Sequence, residues 1–357
     1  MSLKNNSMAA IALYLLLLLC SACEHRPLED MYWNEDLFVR IYFNEEIRNV
    51  SFGFYDESKK KPEYSSPQIM RILFYEEESG KLVTERYLHD CGKDLNGYYI
   101  QGLVSVPYGR YNVLAYNIDA EETNIKYDNT YDKATAYTDP LSEEEESRIF
   151  SSRGDATGEE VICRQPGHLF VTKIEGVEVF LPPNWEKPDT LKTEGEFPTA
   201  ETIVKTYYFQ FNVKGVEHVR SAVALITGMA GSKNMHLDEM IMDDEASIYF
   251  GLNNGKEMKR NSTEENSVAY ATFNTFGKLP HTEGYIDITF EFKTIYETVQ
   301  TETFHVTDMF ETQQVKDRQW IIIDKVIEIA PPEGGGSGGG MTPGVHDWEQ
   351  IEGNITI

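Results

Sequence analysis

Residues 285–293 constrain the fold more than any other segment. Ile286, Ile288, Phe290 and Phe292 alternate there with Asp287, Thr289, Glu291 and Lys293. Alternation at period two gives one apolar face and one wet face, the pattern of a half-buried antiparallel strand. Other segments extend the theme. Residues 37–43 (LFVRIYF) are rich in β-branched and aromatic side chains. Residues 69–75 and 81–88 flank Glu76-Glu77-Glu78-Ser79-Gly80, which predicts a hairpin with a glycine in its loop. Residues 98–106 and 111–117 flank Pro107-Tyr108-Gly109-Arg110, a turn with proline early and glycine later.

A second strand-rich stretch follows. Residues 171–181 open it, a polar insertion runs from Pro182 to about Thr199, and residues 207–213, 219–228, 247–252, 268–273 and 320–329 complete it. Periodicity of 3.6 residues over a helical length is scarce, and 21 tyrosines and 18 phenylalanines favour strand over helix. The expectation is an all-β chain with two tandem β-sandwiches, spanning 36–165 and 166–333. Residues 119–158 read as a long, polar, acidic surface loop, with Glu143–Glu146 in a row and room for a short helix.

Both ends differ from the body. Residues 1–7 are polar with one positive charge, Lys4, and residues 8–19 form an apolar run ending in five leucines. That run is too short for a permanent span, which needs about 20 apolar residues, and fits the core of a secretory signal in residues 1–22. Ser21-Ala22-Cys23 matches the end of a lipobox, so Cys23 is the candidate lipidation site, followed by a tether over 23–35. Acyl chains there would attach the protein to a membrane, since more than one chain gives stable anchoring.

At the other end, residues 334–340 hold six glycines and one serine. The linker 334–344 then behaves as a flexible coil spanning roughly 18 Å. Beyond it, residues 345–357 place Ile351, Gly353, Ile355 and Ile357 on one face and Glu352, Asn354 and Thr356 on the other. An isolated strand is unstable in water. This tail is therefore either disordered, folded back on its own body, or inserted into another chain.

Signatures of chemistry are few. The net charge is −27, from 59 acidic and 32 basic residues, which argues against a nucleic-acid partner. The mature chain lacks a GxSxG elbow, an HExxH pair, a phosphate-binding loop and a CxxC pair. The eight histidines are scattered, and His305 reads as a packed or edge residue. Asp243-Asp244-Glu245 and Glu143–Glu146 lack the ordered loop of a calcium site and read as solvated faces. No catalytic, metal or cofactor site is expected. Tyr98-Tyr99 and Tyr207-Tyr208-Phe209 could stack sugars, but in strands such residues more often fill a core. Cys91 and Cys163 could form a disulfide or remain two buried thiols.

The order of features resembles a known group. A lipobox is followed by Gly-Tyr-Tyr-Ile…Val-Pro-Tyr-Gly-Arg-Tyr-Asn-Val-Leu-Ala-Tyr-Asn (97–117), then by Ile226-Thr227-Gly228-Met229-Ala230 and Phe304-His305-Val306-Thr307-Asp308. It looks like the fimbrillin-related lipoproteins of Bacteroidales, the FimA/Mfa-like superfamily with its FimB/Mfa2-type anchors of type V pili. The resemblance covers nearly the whole mature chain.

It implies transthyretin-like sandwiches, delivery to the outer membrane, surface exposure and assembly with other pilin subunits by β-strand exchange. Ile351, Gly353, Ile355 and Ile357 would then be donor positions, and the opened groove would lie where 37–43 pairs. Arg40 and Arg48 would be candidate cut sites in a stalk subunit, whereas an anchor or minor subunit would stay uncut. The alternative is a surface lipoprotein that binds glycan or a host ligand through its loops.

Overall fold

A computed structural model describes residues 34–43, 66–150, 161–180, 191–192, 197–258, 265–280 and 286–331. The first part of the chain forms β1 (Asn34–Phe43), β2 (Met70–Glu76), β3 (Leu82–Leu88), β4 (Asp90–Asp94), β5 (Gly97–Pro107), β6 (Gly109–Asn117), β7 (Asn124–Lys126) and β8 (Thr135–Tyr137). Helix α1 (Glu143–Ile149) follows, then β9 (Ile162–Cys163), β10 (Phe170–Val179), β11 (Leu191–Lys192) and β12 (Glu201–Thr202). The chain is all-β, as expected, with its strands in five sheets among the described residues.

The first sandwich stacks the sheet β11-β1-β5-β4 on the sheet β12-β10-β6-β2-β3. Leu37, Val39, Ile41 and Phe43 from β1 meet Met70, Ile72, Phe74, Ile100, Val104, Val113 and Ala115 in one core. The predicted hairpin is present between β2 and β3, and Gly80 takes φ +64°, a left-handed conformation that suits glycine.

The second sandwich is built from β13 (Lys205–Lys214), β14 (Val219–Ala230), β15 (Ser232–Asn234), β16 (Glu239–Met240), β17 (Glu245–Gly251), β18 (Asn253–Met258), β19 (Glu265–Thr275), β20 (Asp287–Thr294), β21 (Val299–His305), α2 (Gln313–Arg318) and β22 (Trp320–Glu328). Its sheets run β18-β19-β13-β22 and β21-β20-β14-β17-β9. The core is dominated by phenylalanine: Phe250 stacks on Phe273 with centroids 4.6 Å apart, and Phe211 meets Phe290 at 4.6 Å. Ile286, Ile288, Phe290 and Phe292 all enter this core, as the alternation predicts.

The boundary expected at 165/166 falls elsewhere. Strand β10 pairs antiparallel with β6, and β11 and β12 join the first sandwich, so that unit extends to Thr202. Conversely β9, expected in the first unit, pairs parallel with β17 of the second. The two units exchange short segments across the divide, which a linear reading of strand runs does not reveal.

The stretch 119–158 is also not a mere surface loop. Strands β7 and β8 continue into β15 and β16, so one small sheet takes two strands from each side of the divide. Ser142 and Glu145 form a capping box that starts α1, and Glu143–Glu146 fill its first turn, where negative charge suits the helix dipole. Leu141, Ile149 and Phe150 then pack on Val223 and Leu225, covering the outer face of the second sandwich. For that reason Glu291, expected on a wet face, is only 2% exposed.

A third core joins the two units. Leu73, Tyr75, Leu114, Tyr116 and Val171 point outward from the first sandwich and meet Tyr131, Ala134, Val204, Ala230, Met235, Phe276 and Leu279. Arg71 anchors the crossing segment by pairing with Asp128 at 2.5 Å, and Tyr75 donates to the Asp128 carbonyl at 2.7 Å. Where the chain passes from β12 to β13, His168 Nδ1 contacts the Thr202 hydroxyl and Nε2 the Thr206 hydroxyl, each at 3.2 Å. Burial holds this imidazole down at about 4.

Candidate assembly site

Strand β1 is the element on which assembly by strand exchange would turn. Its sequence alternates, so Leu37, Val39, Ile41 and Phe43 face the core and each is at most 4% exposed. Burying such a side chain contributes roughly 1.5–3 kcal/mol. Ten residue pairs, from Asn34↔Pro107 to Phe43↔Tyr98, join β1 to β5. On its other side it meets β11 in parallel over two pairs, and Phe43 bridges to Ala200, whose N–H donates to the Tyr42 carbonyl at 2.7 Å. Strand β1 thus lies inside its sheet rather than at an edge.

The opposite face of β1 carries Phe38, Arg40 and Tyr42. Arg40 donates through Nε to Gln101 at 2.8 Å, pairs with Asp94 at 3.3 Å and lies 4.1 Å from the ring centroid of Tyr99. The Tyr42 hydroxyl donates to Asp94 at 2.9 Å, and its ring meets Tyr99 edge-on. Gly92 makes room for Tyr99, because a Cβ there would sit 2.5 Å from the ring. Leu103 adds an exposed apolar side chain to the same sheet face. The guanidinium of Arg40 is held above its usual range, first by the Tyr42 hydroxyl.

The paired aromatics divide between faces. Tyr98 packs against the first core beside Phe43, whereas Tyr99 lies on the outer face. Tyr207 and Phe209 are core residues, and Tyr208 is buried on the other face of its sheet with Trp320 and Tyr270. His305 sits on the edge strand β21, its Nδ1 2.5 Å from Asp287. Asp243 and Asp244 lie in the turn before β17, where the Asp244 carbonyl accepts from Gly231.

No disulfide joins Cys91 and Cys163. Both are free thiols: Cys91 lies on β4 beside the first core and Cys163 lies inside the second. Cys163 belongs to the second unit through β9, which keeps it apart from Cys91 and leaves the pair as the two separate thiols the sequence also allowed. Burial pushes the Cys163 thiol up to about 12, so it stays protonated and inert. The candidate lipidation residue Cys23, the candidate cut site Arg48 and the candidate donor positions Ile351, Gly353, Ile355 and Ile357 all lie outside the described residues.

Comparison with known proteins places the chain. The model of a family described as a domain of unknown function, DUF5119, matches residues 50–251, more than half of the sequence. This chain belongs to the DUF5119 family. The matched segment begins beyond β1 and runs through β17, so it covers parts of both sandwiches and the crossing between them.

A curated relative, the fimbrium anchoring subunit Fim4B of Bacteroides ovatus, is 23% identical over 373 residues, covering 98% of this DUF5119 chain and 99% of Fim4B. A crystal structure of an adhesin from Bacteroides ovatus superposes with a TM-score of 0.51 at 21% identity, over 87% of this chain and 98% of the other. That likeness extends the two-sandwich fold to a solved protein.

Proposed function

We propose that this protein is a lipid-anchored anchor or minor subunit of a type V pilus, non-catalytic, held to the outer membrane through Cys23 and joined to its neighbour by donating residues 345–357. The end-to-end relationship to a fimbrium anchoring subunit supports the pilus setting. The observation that carries the anchor reading is the seated β1. A cut after Arg40 would remove Leu37 and Val39 but leave Ile41 and Phe43 in place, so only half a groove would open. Arg40 is also held mid-strand by ladder, side-chain and ring contacts, whereas a protease needs an extended, free segment. Only a cut beyond the strand, as at Arg48, would free all of β1.

In this reading the protein gives a strand and does not receive one. Backbone ladder bonds supply affinity and alternate side chains fill pockets, with Ile351, Gly353, Ile355 and Ile357 as the inserted face. Deleting residues 345–357 tests it. The shortened protein should fold and stay membrane-bound while failing to join the next subunit; unchanged pili would overturn donation.

The sheet face that carries Tyr42, Tyr99 and the exposed Leu103 favours a second reading, in which a glycan or host ligand packs on that face beside Tyr99, where Gln101 donates to Asp90 at 2.8 Å. Glycan-array binding by the full chain, lost in Tyr99→Ala, would support it. Equal binding by the variant would exclude it.

A further inference from the structure

We infer that the molecule is a load-bearing strut in which each sandwich carries tension along one strand ladder, loaded lengthwise. This rests on the anchoring role proposed above for the origin of the load, although the geometry itself does not depend on that role. Tension across such a chain enters at residue 34 and leaves at residue 331.

In the second sandwich the chain passes from Val204, buried in the core shared by both units, directly into β13 at Lys205. It leaves from β22, whose only strand partner among the described residues is β13. These two strands run parallel over seven pairs, from Tyr208↔Trp320 to Lys214↔Glu328. The shared core holds β13 at its beginning, while the tail pulls β22 from its end beside Lys214, where Ile329 N–H donates to the Lys214 carbonyl at 2.9 Å. The two forces therefore act at opposite ends of one ladder. Such a ladder cannot open pair by pair; its bonds must slip together. Ile321, Ile323 and Ile327 of β22 would also have to be dragged through a close-packed core.

The first sandwich repeats the arrangement. Load enters β1 at Asn34, paired with Pro107, whereas the chain crosses to the second unit beside the other end of β1, where Phe43 bridges to Ala200. The ten-pair ladder to β5 is again loaded along its length, and Leu37, Val39, Ile41 and Phe43 resist sliding. A pair of strands pulled at one shared end would instead unzip, one bond at a time. Forced unfolding is governed by the unfolding barrier, so pulling geometry rather than equilibrium stability sets the rupture force.

Single-molecule pulling on the full chain tests this, with click-reactive handles at positions 34 and 331 in one protein and at positions 214 and 328 in another. The second pair holds neighbouring ends of the same β13–β22 ladder and unzips it. End-to-end rupture should need severalfold more force than rupture from 214 and 328. An end-to-end peak no higher than the unzipping peak would overturn the strut. Neither protein requires a membrane or a partner subunit, so failure of strand donation would leave this result standing, and equal forces would leave donation untouched.

Discussion

Ile41 and His168 show how single side chains set the behaviour of the whole. Ile41 is fully buried in the middle of β1. Ile41→Ala should lower stability by about 2–5 kcal/mol, read from urea unfolding, because the cavity adds to the lost transfer energy. A change below about 1 kcal/mol would mean that β1 is not packed as described. His168 titrates near 4 when folded and near 6.5 when unfolded, so the unfolded chain binds the extra proton between those values. Its contribution is present above about pH 6.5 and is lost as pH falls towards 4, by on the order of 3 kcal/mol. Comparing the pH dependence of unfolding with that of His168→Gln isolates this group from the many carboxylates; parallel curves would contradict the assignment.

At the scale of elements, the strands were legible and their grouping was not. Alternation located β20, turn chemistry located the β2–β3 hairpin and the turn by which β5 passes to β6 in the other sheet, and β-branched runs located β1, β14 and β22. Division into units failed because β9 and β10 swap sides, and pairing partners leave no mark on a strand's own sequence. The shared core did leave one. Ile72-Leu73-Phe74-Tyr75 and Val113-Leu114-Ala115-Tyr116 are continuous apolar runs, the signature of strands buried on both faces.

The short helix inside 119–158 had room in the sequence, but the strands there leave no pattern because β7 and β8 are three residues each, and their strength comes from contacts distant in sequence. The shared core predicts joint unfolding: calorimetry should give one transition, and Phe276→Ala should lower it by about 3–5 kcal/mol. Two separated transitions in the unmodified protein would contradict the coupling. Strand β1 predicts resistance to cutting. An arginine-specific protease at native pH should leave the bond after Arg40 intact, and a fragment starting at Ile41 in the native digest would show that β1 opens.

For the whole molecule, the sequence end features and the seated first strand support the proposed picture of a body that would be tethered at its beginning, bound to its neighbour at its end, and braced between. Of the assembly site, the apolar rhythm of β1 was readable in advance. The placement of Arg40 against Tyr99, Gln101 and Asp94 was not, because it depends on cross-strand register. Replacing Ile355 and Ile357 with Asp should abolish joining to the next subunit and leave the melting temperature of the body unchanged; a large fall would mean that the tail packs on its own chain. Mass spectrometry of the N-terminus of the protein taken from native pili tests the anchor most directly. A chain beginning at an acylated Cys23 with β1 attached is the predicted result, and a chain beginning just after Arg40 or Arg48 would contradict it.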